Sequence, residues 1–209
     1  MTDPDTAPLR LIVKSIDEPL AEGGLLEGAE ICQTDNTANC ERTDETGEVI
    51  IELPIGETSF TMEANGHVPY LVPVMMPHLH DFDLVMRTDG YLEAEFAHLM
   101  SDYPMVGTGA IVVSRYQYAA GATFELESTE ALGPFYAGED GWWSFDLTAT
   151  IGNGRAGFVE VPPGDRHTIR AGGTAEDCSA WWGWPGEDEN SFHVPVLANH
   201  LTYFVLLCF

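Results

Sequence analysis

The segment best suited to hold a metal is Pro77-His78-Leu79-His80-Asp81. In an extended strand His78 and His80 point to one face, so two imidazoles can share an ion, with His67 and Tyr70 upstream as further ligands. Met75, Met76, Met86, Met100 and Met105 surround this segment. Thioethers beside imidazoles suit copper, although methionine also serves as core filler. The plain alternative is a pair of surface histidines on an edge strand.

A second cluster is aromatic. Trp181-Trp182-Gly183-Trp184 follows Cys178 in a Gly-rich acidic stretch, and Trp142-Trp143 lies earlier in the same half. If the segment is extended, Trp181, Trp182 and Trp184 cannot all face one core, so at least one ring should be partly exposed. An exposed indole can stack on a sugar ring or anchor a protein partner. Against this stands burial of the rings at the end of a sandwich, against a helix. Asp44, Glu45, Asp140 and Glu187-Asp188-Glu189-Asn190 offer oxygen ligands for calcium, but none has EF-hand spacing, and a solvated acidic loop explains them as well. No G-x-S-x-G, H-E-x-x-H or Gly-rich phosphate loop occurs, which points away from an enzyme.

Composition narrows the partners. Against 34 Asp and Glu stand 8 Lys and Arg, a formal net charge of -26. Such a surface repels phosphate backbones and anionic lipid heads, so nucleic acid and acidic membranes are poor partners. The same acidity also serves as a solvating coat in a salty environment. No apolar run approaches the ~20 residues of a membrane-spanning helix. The opening Met1-Thr2-Asp3-Pro4-Asp5-Thr6 lacks the parts of a signal peptide and reads as a mature start whose leader has been removed. Four cysteines without C-x-x-C spacing favour disulfides and hence a secreted or cell-surface protein. They allow three connectivities; Cys32 with Cys40 and Cys178 with Cys208 is expected, because each half then closes its own bridge.

The elements that must position these residues are strands. Leu9–Ile16, Glu48–Leu53 and Ser59–Ala64 read as strands, with turns at Thr43–Gly47 and Pro54-Ile55-Gly56. The second half repeats the order: Ala110–Tyr116 matches the first strand, and Gly121–Leu126 the strand opened by Gly28-Ala29. Gly157–Gly164 matches Gly47–Gly56, and Thr168–Gly173 matches Thr61–Gly66, with an insertion in the second copy. Between the copies, Leu92, Phe96, Leu99 and Met100 fall at helical spacing and predict a short helix with an apolar stripe. Leu201–Phe209 is a dense apolar run that should form a buried terminal strand.

Gly28-Ala29, Thr43-Asp44-x-x-Gly47, Leu53-Pro54-x-Gly56 and Ala64-x-Gly66 together resemble the carboxypeptidase regulatory-like, or prealbumin (transthyretin)-like, domain. The resemblance implies a mainly β chain of two tandem β-sandwich domains. The first covers residues 8–87, a helical linker 88–105, and a second sandwich with Trp-rich loops 106–209. The motifs are turn chemistry and carry no catalytic residues. A His-x-His after such a strand is similar to the iron site of intradiol ring-cleaving dioxygenases, but here no second tyrosine or Arg-Pro-x-His context accompanies Tyr70.

The expected function is therefore a secreted, acidic, non-catalytic binding or surface-scaffold protein. It would recognise a glycan or protein partner through Trp181, Trp182 and Trp184, with Trp142 and Trp143 extending the platform. No cofactor is required, though a transition metal or calcium has candidate ligands. The alternatives are a metal-binding protein (iron or copper) using His78, His80, His67 and Tyr70, and a structural protein that self-assembles through sheet edges.

Overall fold

The computed structural model describes residues 5–77, 82–116, 120–128 and 130–208. The chain is mainly β. Its first half contains β1 (Thr6–Ile16), β2 (Gly24–Leu25), β3 (Glu30–Gln33), β4 (Cys40–Arg42), β5 (Glu48–Pro54), β6 (Gly56–Glu63), β7 (Tyr70–Met76) and β8 (Phe82–Arg87). Helix α1 (Asp89–His98) follows. The second half contains β9 (Gly109–Tyr116), β10 (Ala122–Leu126), β11 (Leu132–Ala137), β12 (Trp143–Ser144), β13 (Arg155–Val161) and β14 (Gly164–Gly173), then β15 (Ser179–Trp182), β16 (Trp184–Pro185), β17 (Ser191–Val196) and β18 (Leu201–Leu207).

Both halves use one pairing scheme. In the first, β1 runs antiparallel to β5 and parallel to β8; in the second, β9 runs antiparallel to β13 and parallel to β18. Opposite these, β3–β6–β7 and β10–β14–β17 are each antiparallel throughout. The matched blocks of sequence thus fall on equivalent strands. The insertion forms β11 and β12, and β11 pairs with β13 along the edge that β5, its counterpart, leaves open.

The two copies are not separate sheets. β18 begins parallel to β7, with Leu201 opposite Tyr70 and Thr202 opposite Leu71, so one ten-stranded sheet runs from β12 through β9, β18 and β7 to β4.

Sequence pattern follows this layering. β1 alternates, with Leu9, Leu11 and Val13 buried and their neighbours partly exposed, as a strand covered on one face should. β9 does not alternate: Ala110 and Val112 join the core that extends through the first half, and Ile111 and Val113 join the core of the second. β18 divides likewise, Leu201 and Val205 to the first core and Phe204 and Leu206 to the second. Buried on both faces, these two strands require the unbroken apolar runs found in the sequence.

Turn chemistry explains the Thr-Asp-x-x-Gly motif. Asp44 Oδ1 accepts from the Thr46 hydroxyl at 2.7 Å and from the amides of Thr46 and Glu48 at 2.8 and 3.0 Å, and these bonds hold its carboxyl below the ordinary aspartate range. Gly47 has φ of 70°, and a Cβ there would lie 2.6 Å from the Val13 carbonyl, so no larger residue fits. In α1, Thr88 caps the N-terminus by accepting from the Tyr91 amide at 3.3 Å. Leu92, Phe96 and Leu99 are buried as expected, but Met100 is 86% exposed. The helix ends at His98, and Met100 turns out of the stripe with φ of 50°.

Both disulfides connect as expected: Cys32–Cys40 joins opposed residues of β3 and β4, and Cys178–Cys208 ties the approach to β15 to the end of β18. They span 8 and 30 residues of sequence. By loop-closure entropy the longer bridge contributes about 3–4 kcal/mol and the shorter about 2–3 kcal/mol. We expect Cys178→Ala/Cys208→Ala to lower the urea midpoint more than Cys32→Ala/Cys40→Ala. Equal shifts would show that the longer bridge does not hold β18.

Candidate functional site at the junction of the halves

Trp181, Trp182 and Trp184 lie against the junction, Trp182 buried and the other two half-buried. The indole N–H of Trp184 donates to the carbonyls of Thr58 and Val74 at 3.1 and 3.2 Å, and the Gly183 amide donates to the Pro73 carbonyl at 2.8 Å. The segment is therefore laid across β6 and β7 of the first half. It comes that close because residue 183 is glycine: a Cβ there would lie 2.4 Å from the Phe204 ring, and φ is 123°. Trp182 is 3% exposed and meets Phe82 and Tyr203 edge-on at 5.1 and 5.4 Å. Trp181, half-buried, meets Phe82 at 5.0 Å. Over the half-buried ring of Trp184 lies the Arg166 guanidinium, which is itself paired with Glu57.

Trp142 and Trp143 pack elsewhere. Trp142 rests on α1, edge-on to Tyr91 at 5.5 Å and tilted against His98 at 5.0 Å. Trp143 is 3% exposed and stacks on Phe135, in space left by Gly157, where a Cβ would lie 2.3 Å from the indole. The sequence-based picture of five rings forming one open platform is thus corrected. Trp143 and Trp182 are buried, and the two groups sit on different elements. The reason is that Trp143 and Trp182 are apolar material of the core that takes residues from both halves, while Trp142, Trp181 and Trp184 stay half-buried, as the expectation of at least one partly exposed ring required.

Of the metal-ligand candidates, His78 and His80 lie outside the described residues. His67 has both ring nitrogens engaged, Nε2 with the Ser15 hydroxyl at 2.7 Å and Nδ1 with the Asn65 carbonyl at 2.9 Å. Tyr70 is buried, and its hydroxyl accepts from the Arg87 amide at 3.3 Å. Burial pushes its phenol well above the ordinary value despite the opposing Arg87 charge, which disfavours a phenolate ligand. His67 and Tyr70 border different cavities. Among the described residues no group of three or more His, Cys, Asp or Glu is gathered. The calcium candidates are dispersed: Asp44 holds its turn, Asp140 accepts from the Trp142 amide at 3.1 Å, and Asp188 pairs with Arg170 at 2.6 Å.

The junction also contains an ionic cluster absent from the sequence reading. Glu95, fully buried on α1, accepts from Arg87 Nη1 at 2.9 Å and from Arg155 Nη2 at 3.4 Å. Arg87 comes from β8 and Arg155 from β13, so one carboxylate joins both halves and the helix. Burial opposes the charge on Arg87, but the Glu95 carboxylate outweighs it and holds the guanidinium above its ordinary value. Arg87 further lies over the rings of Tyr91 and Trp143 at 5.2 and 5.8 Å. One signal was present: Glu95 shares the helix face of Leu92 and Phe96, where a solvated glutamate does not belong.

No family model matches the chain, and no curated protein matches it. Among solved structures, GBS52, the minor pilin of Streptococcus agalactiae, is similar at 14% identity and a TM-score of 0.30, over 97% of this chain and 96% of that one. The shaft pilin SpaA of Lactobacillus rhamnosus GG is similar at 10% identity and a TM-score of 0.29, over 98% of each chain. The Bacillus anthracis TIE protein is similar at 15% identity and a TM-score of 0.29; this chain covers 95% of itself there but spans only 33% of that protein. At such scores the likenesses carry no argument about function.

Removing the carboxylate charge leaves two guanidiniums facing a neutral partner. Glu95→Gln should therefore cost about 3–5 kcal/mol in denaturant unfolding, against less than about 1 kcal/mol for Lys14→Ala, which breaks an exposed pair with Asp83. Similar losses in the two variants would remove Glu95 as the junction's anchor.

Proposed function

We propose that the chain is a non-catalytic, extracellular scaffold module, in which residues 8–87 and 106–209 form two sandwiches held rigidly through 88–105. One observation carries this reading: β18 pairs with β9 of its own half and with β7 of the other, while the segment after β15 is hydrogen-bonded to β6 and β7. Trp143 and Trp182 are buried in the core that takes residues from both halves, which supports a structural role for these two rings. Such a joint resists bending and suits a protein that must hold its shape while presenting or spacing other surfaces. The acidic coat keeps the module soluble and discourages non-specific self-association. Two disulfides suit an oxidising exterior.

The decisive measurement is 15N relaxation on each half. Both halves should report one rotational correlation time, that of a single 22.9 kDa body. Trp182→Ala/Trp184→Ala should loosen the joint and separate the two values. Independent tumbling of the halves in the unmodified protein would end the scaffold reading.

A further inference from the structure

Two asparagines in this chain are directly followed by glycine, Asn65 before Gly66 and Asn153 before Gly154. Asparagine is a chemically labile residue, and glycine makes it more so. Without a Cβ, the glycine nitrogen can reach the Cγ of the preceding side chain and close a succinimide ring. The two dipeptides are chemically alike, but the fold treats them in opposite ways.

Asn153 is locked. Its Nδ2 donates to the carbonyls of Ala137 and Gly138 at 3.1 and 2.6 Å, and its Oδ1 accepts from the Arg155 amide at 3.2 Å. The attacking nitrogen is engaged as well: Gly154 is buried, and its N–H donates to the Ile151 carbonyl at 2.9 Å. Ring closure there must first break all of these bonds.

Asn65 is open. It lies in the turn after β6, spanned by one bond from the His67 amide to the Ala64 carbonyl at 3.2 Å. Asn65 and Gly66 are both exposed, and among the described residues neither the Asn65 side chain nor the Gly66 N–H has a hydrogen-bond partner. His67 Nδ1 meets the main-chain carbonyl of Asn65 at 2.9 Å and leaves the side chain untouched. Space around the glycine is clear, since even a Cβ built there would meet nothing within 4 Å.

We propose that Asn65 is a self-modifying site: in the folded protein its side-chain amide converts to a carboxylate, in part as isoaspartate, while Asn153 is preserved. The Gly66 nitrogen, its proton given to solvent, bonds to Asn65 Cγ; the Cγ–Nδ2 bond breaks and ammonia leaves. Water then opens the succinimide. Opening at one carbonyl gives aspartate, and opening at the other leaves the backbone running through Cβ and Cγ, lengthened by a methylene. Water is the sole co-reactant.

This turn is tied to the helix. The Gly66 carbonyl accepts from the Asp89 amide at 2.9 Å, where α1 begins, and His67 Nε2 meets the Ser15 hydroxyl of β1 at 2.7 Å. A lengthened backbone at residue 65 therefore acts on the start of the helix that carries Glu95. The new carboxylate joins Glu30 and Glu63 around one small cavity. The conversion needs only the local turn, so it is independent of the scaffold reading.

The test is to hold the whole, disulfide-bonded chain in warm, mildly alkaline buffer and follow both asparagines by peptide mass mapping, with the urea-unfolded chain in parallel. In the folded protein Asn65 should convert at least about tenfold faster than Asn153, which must first give up several hydrogen bonds. In urea the two should convert at comparable rates. Asn65→Gln, whose longer side chain would have to close a larger ring, should abolish conversion at this position and leave the melting temperature unchanged. Converted protein should show shifted amide resonances at Thr88 and Asp89. Equal rates in the folded chain, faster conversion at Asn153, or an Asn65 that converts only in urea would overturn the proposal. A rate gap that persists in urea would trace to sequence and overturn the structural assignment, and unshifted Thr88 and Asp89 would overturn the reach to α1.

Discussion

Two edges are available to any strand, and β18 uses both, so that strands of the two halves share one sheet. Along one edge it pairs with β9 over Leu201–Leu207. The other edge is shared: Leu201 and Thr202 face β7, and Val205, Leu206 and Leu207 face β15. Both of its faces are covered as well, one by each core, which is why Leu201, Phe204, Val205 and Leu206 are buried. Thr202 shows the consequence for a polar residue, since its hydroxyl donates to the Pro195 carbonyl at 2.8 Å. The disulfide from Cys208 to Cys178 fixes β15 beside this strand, and through β15 the Trp181–Trp184 segment on the first half.

Electrostatics complements that arrangement. With so few cations, each one is a specific feature rather than part of a mixed surface. Surface pairs such as Arg10 with Glu48, where the arginine bonds through Nε and Nη2 at 2.7 and 2.6 Å, offset the local repulsion between Glu48 on β5 and the nearby Asp44. The Glu95 cluster is different in kind. It pays its desolvation only because both oxygens of one carboxylate are used, by guanidiniums from β8 and β13. Geometry of that precision specifies how the halves meet, whereas apolar packing alone would tolerate some sliding.

The aromatic residues show how an apolar cluster can be misread. Trp181, Trp182 and Trp184 do alternate, as extended residues must, and the rings do not share one environment. Only Trp182 is fully buried, while the flanking rings lie half-covered against Phe82 and beneath Arg166. What one chain segment cannot reveal is that a second sheet stands opposite its outward face. The first core confirms this in its membership, which takes Ala110, Val112, Phe135, Trp143, Val159, Trp182 and Val205 from the second half.

Local chemistry determined much by itself. Turn glycines and Asp44 set the corners because φ and hydrogen-bond demands are properties of single residues and their near neighbours. Alternation in Leu9–Val13 against the unbroken run in Ala110–Val113 announced one covered face or two, because side-chain direction in a strand has a period of two. Cysteine placement announced both bridges. Only the tertiary structure decided that β7 and β18 would lie side by side, that Glu95 would meet Arg87 and Arg155, and that Trp143 and Trp182 would be the buried rings. Those contacts join residues up to about 130 positions apart, as Leu201 and Tyr70 show, and no local periodicity encodes which of two compatible surfaces a strand or ring will find.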